Sequence, residues 1–491
     1  GTGITTGDEN TFIGYDSGKA VTTAAGNTAL GFSSLITNIL GSKSVAIGRA
    51  ALQVQNPASA VDMFNVAVGY AAGENVTTGV QNTLIGALSG DTLSTGKNNV
   101  AVGYQALETE DTGDRSVAIG SFALKTQNND SDNYNAALGY AAGLYVSTAV
   151  GSTFVGGLAG QGISNVLLTG NNNTAVGQGA GLVLQGAATQ NTFIGAAAGD
   201  AITVAQDNTA LGFSSLGSEV GGQQNVAIGV HALSSQSHAS GNVRNTAVGA
   251  FAAQMVSTGS FNTFLGAFAG IGDTDNKLTG DSNTVIGTTT GSSLITTANG
   301  NTLVGAHAGD AITTGVSNVM LGVSSVASAV DVVAEITIGP GVTGSGGSTV
   351  TIGSGAGKIS NTFTSNATWA QSSDSRLKTN IQTDSLGLSF INRLNPVTYN
   401  WKPSNEINTG LPYYKEINER DTEVTMHGLV AQEVKTALDA EGVDTFAGWG
   451  EGLDGVQTIS REMFVSPLVK AVQELSTALD AALARIKTLE G

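Results

Sequence analysis

The chain contains no cysteine. That excludes a disulfide framework and any thiolate metal site. Only 6 of its 491 residues are proline and no Gly-X-Y period is present, which excludes collagen. Charged residues make up 12%, against roughly 25% in an average globular chain. So little charge beside 41% hydrophobic residues argues against disorder. The 20 Lys and Arg are outnumbered by 38 Asp and Glu, for a formal net charge of −18. A basic groove for nucleic acid is therefore not expected. No apolar run reaches membrane-spanning length, and no signal peptide is read. No zinc motif occurs, and neither a metal nor a cofactor is expected. Gly90 to Lys97 superficially suggests a phosphate loop. Its glycines stand one residue too far apart, and no Ser or Thr follows Lys97. The chain begins at Gly1 without an initiator Met, so any anchoring segment is expected upstream.

Glycine, by contrast, accounts for 68 residues. A repeated element, Asn-Thr-x-(Ile/Val/Leu)-Gly, uses many of them. Asn10-Thr11-Phe12-Ile13-Gly14 is its first copy, and 20 copies run to Gly353. Of the 19 intervals between closing glycines, eleven are 17 residues, seven are 18 to 21 and the last is 14. A fixed minimum with variable extras predicts one structural coil per repeat, with insertions confined to a loop. The residue before the closing Gly is always Ile, Val or Leu, and the residue three before it is Thr, Val or Ile except at Ala136. Between them often stands an Ala, such as Ala46, and sometimes a Phe, such as Phe154. Alternate side chains of a strand point to opposite faces. Neither face reads as solvated, so the element predicts a five-residue strand, buried on both faces and stacked in parallel. The small residues are expected to suit close approach of identical subunits around a threefold axis, rather than a thick private core. The Asn suits a turn and an amide ladder, and the Gly a positive φ or close backbone approach. At ~4.8 Å per coil, the stack predicts a rod on the order of 95 Å long.

Ser44-Val45-Ala46-Ile47-Gly48 and Ser116-Val117-Ala118-Ile119-Gly120 resemble the head repeats of trimeric autotransporter adhesins. The resemblance implies a left-handed parallel β-roll in a trimer. The period of mostly 17 residues is longer than that family's coil, which longer outer loops would explain.

Beyond Gly353 the composition changes. Residues 354–372 are polar and read as a linker. Leu394 to Trp401 predicts a strand, and His427 to Leu438 an amphipathic helix. Val465, Leu468, Val472, Leu475, Leu479, Ala482, Ile486 and Leu489 are spaced 3, 4, 3, 4, 3, 4, 3, a heptad seam that needs partner helices, with Pro467 near its first turn. Three-fold assembly supplies those partners. The run Ser373-Asp374-Ser375-Arg376-Leu377-Lys378-Thr379-Asn380-Ile381 resembles the start of the S74 peptidase family, the C-terminal intramolecular chaperones of phage tail fibres, tailspikes and endosialidases. Three later blocks agree: Leu394 to Lys402, His427 to Val434, and Ser466 to Leu475. The resemblance implies a Ser/Lys dyad, carried by Ser373 and Lys378, which cuts the chain between Ser372 and Ser373. Such chemistry is physically coherent, because a Ser hydroxyl needs a base and burial lowers the pKa of a Lys until its neutral form is populated. Cutting is expected to wait for trimerisation, since contacts from neighbouring copies would complete the site.

The expected fold is thus mainly β: a trimeric parallel β-roll or β-solenoid rod over 1–353, a linker over 354–372, and a small α+β chaperone domain over 373–491. The last ends in a coiled-coil helix over 465–489. The expected function is that of a structural, host-binding phage tail fibre, located in the virion and made in the host cytoplasm. A bacterial trimeric surface adhesin is the alternative. Expected partners are two copies of itself, an upstream virion-attachment region, and a host cell-surface receptor, either a glycan or an outer-membrane component. The long inserts at 53–64, 232–244 and 270–282 are the candidate receptor contacts. No enzyme acting on an external substrate is expected, because repeat carboxylates are few and scattered. Asp374 and Arg376 read as structural, and His427 as a helix-start or packing residue. His231, His238 and His307 read as loop residues. Asn128 to Asp132 offers oxygen ligands but reads as a solvated loop.

Overall fold

The computed structural model describes residues 3–355, 357–363, 370–371, 373–411, 413–418, 420–452 and 454–490. It divides into two compact units, Gly1–Ser372 and Ser373–Gly491.

The first unit is mainly a parallel β-solenoid with one short strand per repeat. Thr11–Ile13 pairs in parallel with Thr28–Leu30, Phe12 opposite Ala29. The same register continues coil by coil until Ile336 meets Val350. The strands are shorter than the five residues expected, because only the three central residues pair and the flanking Asn and Gly form the corners. The stack ends in a reversal. Thr349–Ser354 pairs antiparallel with Gly357–Thr362, which pairs antiparallel with Ala370–Gln371. Residues 354–372 are therefore partly strand rather than only a linker. An added antiparallel pair covers the last open edge of the parallel stack, which would otherwise be a template for another chain.

The burial of the strands corrects a second expectation. The small or aromatic position faces the interior of its own coil, and Ala29, Ala46, Phe154 and Phe193 are fully buried. The private core is thus built from the residues assigned to subunit contact. The opposite face is uncovered, with Ile13 58% and Leu138 50% exposed.

A size relation seen in twelve of the coils shows how so thin a core is filled. Six residues beyond the interior strand position, the chain turns inward at a positive φ. Where the strand position is Ala29, Ala46, Ala101, Ala118, Ala210 or Ala227, this later residue is a leucine, as at Leu124. Where it is Phe12, Leu84, Phe154, Phe193, Phe264 or Leu303, the later residue is glycine. A Cβ on Gly160 would stand 2.1 Å from the Phe154 ring. In these coils the two positions never both carry a large side chain, because two do not fit at that contact. After Ala67, Ala137 and Ala175 the later residue is Gly, and a larger residue three further on, Val76, Val146 or Leu184, is buried instead. The closing glycines obey a different constraint. Gly31 has φ +141°, and a Cβ there would lie 2.4 Å from the carbonyl oxygen of Gly48 in the next coil.

The corner asparagines form the expected ladder. From Asn173 to Glu335 each Asn Oδ1 accepts the backbone N–H of the corresponding residue in the next coil, at 2.8 to 3.2 Å. Most of their Nδ2 groups donate to a turn carbonyl, as Asn191 does to Ala205 at 2.9 Å. These side chains are fully buried, so each amide supplies partners that buried corner backbone would otherwise lack. Where Ser116 replaces Asn, Gln127 reaches in, donating to Ser116 Oγ at 2.7 Å and accepting from Asn135 at 2.9 Å.

The second unit is small and α+β. Its helices are α1 (Leu388–Arg393), α2 (Ala431–Ala440) and α3 (Val465–Glu490). Strand Val397–Tyr399 pairs antiparallel with Met426–Gly428, and Trp449–Glu451 with Gln457–Ile459. His427 is thus an exposed strand residue opposite Thr398, and the helix expected from His427 begins only at Ala431. The core gathers Leu386, Phe390, Val434, Leu438 and Phe464. Phe390, Phe446 and Phe464 meet ring to ring at 5.2 to 6.1 Å, within the range of favourable aromatic pairs.

Candidate functional site

Ser373 opens the second unit, and the local sequence folds its neighbour Lys378 back towards it. Asp374 caps a short 3₁₀ turn over Ser375–Leu377, its carboxylate accepting the Arg376 N–H at 2.8 Å. The Arg376 guanidinium clamps the same carboxylate through Nε at 3.0 Å and Nη2 at 2.6 Å. The Arg376 side chain, with its backbone N–H, holds the Asp374 carboxyl below its ordinary range. The turn closes as Lys378 N donates to Ser375 O at 3.2 Å. Its result is that Lys378 Nζ lies 2.6 Å from Ser373 Oγ. Asp374 and Arg376 thereby shape the turn without touching that pair. Ser372 lies outside the described residues.

Two groups at this distance can exchange a proton. Both are exposed in the single chain, so nothing in the chain itself buries the lysine amine. The whole segment from Ser373 to Ser385 is exposed. Its root is held: Leu386 is buried, and Leu388 N donates to the Glu474 carboxylate of α3 at 2.7 Å. Glu474 sits against Gly387 so closely that a Cβ there would meet the carboxylate at 2.4 Å. Sequence reasoning missed Glu474 as a positioning residue. Its partner is 86 residues away, and no local pattern marks such a pairing.

The heptad seam lies along α3 with every member exposed: Val465, Leu468, Val472, Leu475, Leu479, Ala482, Ile486 and Leu489. The helix docks on the body by another face, burying Pro467 and Ala471. A single chain leaves the seam wholly unpaired.

In the rod, the histidines read as plain loop residues have defined surroundings. His231 meets Phe213 edge-on at 5.3 Å and stacks on Phe251 at 5.4 Å, and His307 Nδ1 meets Asp310 at 2.9 Å. His238, within the 232–244 insert, is the most constrained. Its Nδ1 lies 3.1 Å from Glu219 Oε2 and its Nε2 3.0 Å from the Thr258 carbonyl. Two acceptors require the doubly protonated imidazolium. Glu219 is fully buried and also accepts from Gly222 N at 2.7 Å and Gln236 Nε2 at 2.7 Å. Burial pushes the Glu219 carboxyl up, but His238 and the other donors outweigh it and leave it below its ordinary 4.5. Burial pushes His238 down, yet Glu219 and Thr258 leave it above 6.5. The glutamate's contribution to stability is complete above 4.5 and lost as pH falls through its lower folded value. The histidine's is complete below 6.5 and lost as pH rises through its higher folded value. The thermal midpoint of the wild type should therefore exceed that of His238→Gln most between pH 4.5 and 6.5, and the gap should narrow on either side. A gap independent of pH in melting scans would show that the pair is not ionised.

Among the described residues no cluster of three or more His, Asp or Glu could hold a metal ion, and no helix is long and apolar enough to cross a membrane. Asp130 and Asp132 are engaged by Thr112 at 2.7 Å and by Arg115.

No curated protein and no solved structure matches the chain. Residues 373–443 match the family model Peptidase_S74, described as the chaperone of endosialidase, and the match begins at Ser373 itself.

Proposed function

We propose that this chain is a trimeric fibre whose C-terminal unit aligns three copies and then cuts itself free between Ser372 and Ser373. The observation that carries this reading is the 2.6 Å approach of Lys378 Nζ to Ser373 Oγ at the first residue of the S74-matching segment. On this reading the neutral Lys378 amine takes the Ser373 hydroxyl proton. Oγ attacks the carbonyl carbon of residue 372. The C–N bond to Ser373 breaks as the new ester forms, and the Ser373 nitrogen collects a proton. Water then hydrolyses the ester, leaving a carboxylate on residue 372 and restoring the hydroxyl. The reaction is intramolecular and runs once per chain, so proximity supplies much of its rate.

The rod supplies the need for such a device. Its coils resemble one another closely, so three chains could pair one coil out of step. A seam of α3 helices sets the register first. Cutting then removes the aligning unit and makes assembly effectively irreversible, which is kinetic stability. The exposed Ile, Val and Leu column is too long an uncharged stripe for an isolated chain in water, and three copies sharing an axis would cover it. The fibre belongs, on this reading, to a phage virion, with inserts 53–64, 232–244 and 270–282 reaching a host receptor.

The test is Ser373→Ala. Denaturing gels and intact mass should show the variant as one uncut trimer-forming chain, and the wild type as fragments ending at Ser372 and starting at Ser373. Persistent cutting at that bond in the variant rules out this nucleophile.

A further inference from the structure

We infer that in the assembled molecule the arm Ser373–Ser385 of one copy docks, through Leu377 and Ile381, into an apolar pocket at the foot of α3 on a neighbouring copy. The inference rests on the trimeric reading above and adds where the dyad becomes buried.

Two unsatisfied features of the second unit fit each other. The arm is a run of consecutive exposed residues, yet it carries Leu377 and Ile381 at 73% and 69% exposure. Apolar side chains of this size, exposed on such a segment, favour an apolar surface elsewhere. The body offers one: a pocket of 420 Å³ lined chiefly by Ile391, Leu394, Pro396, Leu429, Phe464 and Leu468, with His427 and Arg461 beside them. It is roomy enough for a branched aliphatic side chain and nearly free of groups that would prefer water.

The occupant follows from the wall. Leu468 is both a lining residue of this pocket and a member of the exposed heptad seam. The pocket is therefore continuous with the surface on which another copy's α3 arrives. The arm springs from the same neighbourhood, because Leu388 at its root is tied to Glu474 of α3. When three seams close, each arm root is brought beside a neighbour's pocket. Docking would exclude water from the turn that holds Ser373 and Lys378. The dyad would then be closed off from water only after assembly, which makes the cut report that the register has been set.

The absence of cysteine makes a direct test simple. Gln382→Cys, on the arm next to Ile381, and His427→Cys, on the pocket side, are placed on separately tagged copies of the Ser373→Ala chain. The copies are co-expressed and treated with a short bis-maleimide. The expected product is a covalent dimer carrying both tags. Trimers that yield no such dimer overturn the inference, as does a chain bearing both cysteines that links only within itself. A second measurement uses Ile381→Asn in the otherwise native chain, a neutral change outside the Ser375–Leu377 turn. Its cutting should slow by at least about tenfold as water re-enters the site, while light scattering still reports a trimer. A cutting rate equal to wild type also overturns the inference. Failure of trimer formation, or cutting that survives Ser373→Ala, would instead strike the underlying functional reading.

Discussion

Lys378→Arg is expected to stop chain cutting as completely as Lys378→Met, with both slowed by about 10²–10⁴-fold, the usual contribution of a positioned general base. Arginine keeps the positive charge and a hydrogen-bond donor near Ser373. It cannot give up its proton in a protein, so it cannot accept one from the hydroxyl. If Lys378 merely oriented Ser373 Oγ by donating to it over 2.6 Å, arginine would retain much of the rate. If it is the base, both variants fail equally. The readout is the fraction of cut chain over time on denaturing gels, with trimer content checked under native conditions. An arginine variant that cuts like wild type would remove Lys378 from the chemistry and leave its contact with Ser373 structural.

Gly160→Leu should unfold the coils around it, and adding Phe154→Ala should restore most of what was lost. The single change puts a Cβ 2.1 Å from the Phe154 ring at φ +55°. Left-handed backbone strain costs roughly 1–2 kcal/mol, and overpacking a filled core costs typically about 1–3 kcal/mol more. Phe154→Ala by itself should cost about 3–5 kcal/mol through lost burial and the cavity left behind. Together they recreate the pairing already present at Ala118 and Leu124, where leucine adopts φ +48° in a fully buried site. The double variant should therefore be more stable than either single one, a strong departure from additivity. Thermal unfolding of the four chains checks it. Purely additive losses would show that the large residue's position in each coil is not interchangeable.

The repeat, the parallel stacking, the Asn ladder and the heptad helix were legible in the sequence, because each is written in residues a short and regular distance apart. Asn173 to Glu335 shows why: identical corners meet identical corners one coil on, so periodicity is itself contact information. Ser373 and Lys378 were singled out only through a family resemblance, since a Ser and a Lys five residues apart are common; the contact between them is made by one capped turn. What the sequence could not decide was which face of the short strand points inward. Alternation separates Phe154 from Val155 but carries no sign, and a column of alanines reads equally well as a subunit contact or as a thin interior. The chain path decides it, by bringing larger side chains such as Leu124 or Leu184 in from the next corner to fill the space beside the alanines. Two further facts needed tertiary structure because their partners are distant in sequence or ordinary in appearance. Glu474 reaches back 86 residues to Leu388, and His238 looks like any loop histidine until Glu219 is seen buried against it. Local periodicity determines which elements form, while the direction each side chain faces is settled only when the coil closes upon itself and one side of every strand loses access to water.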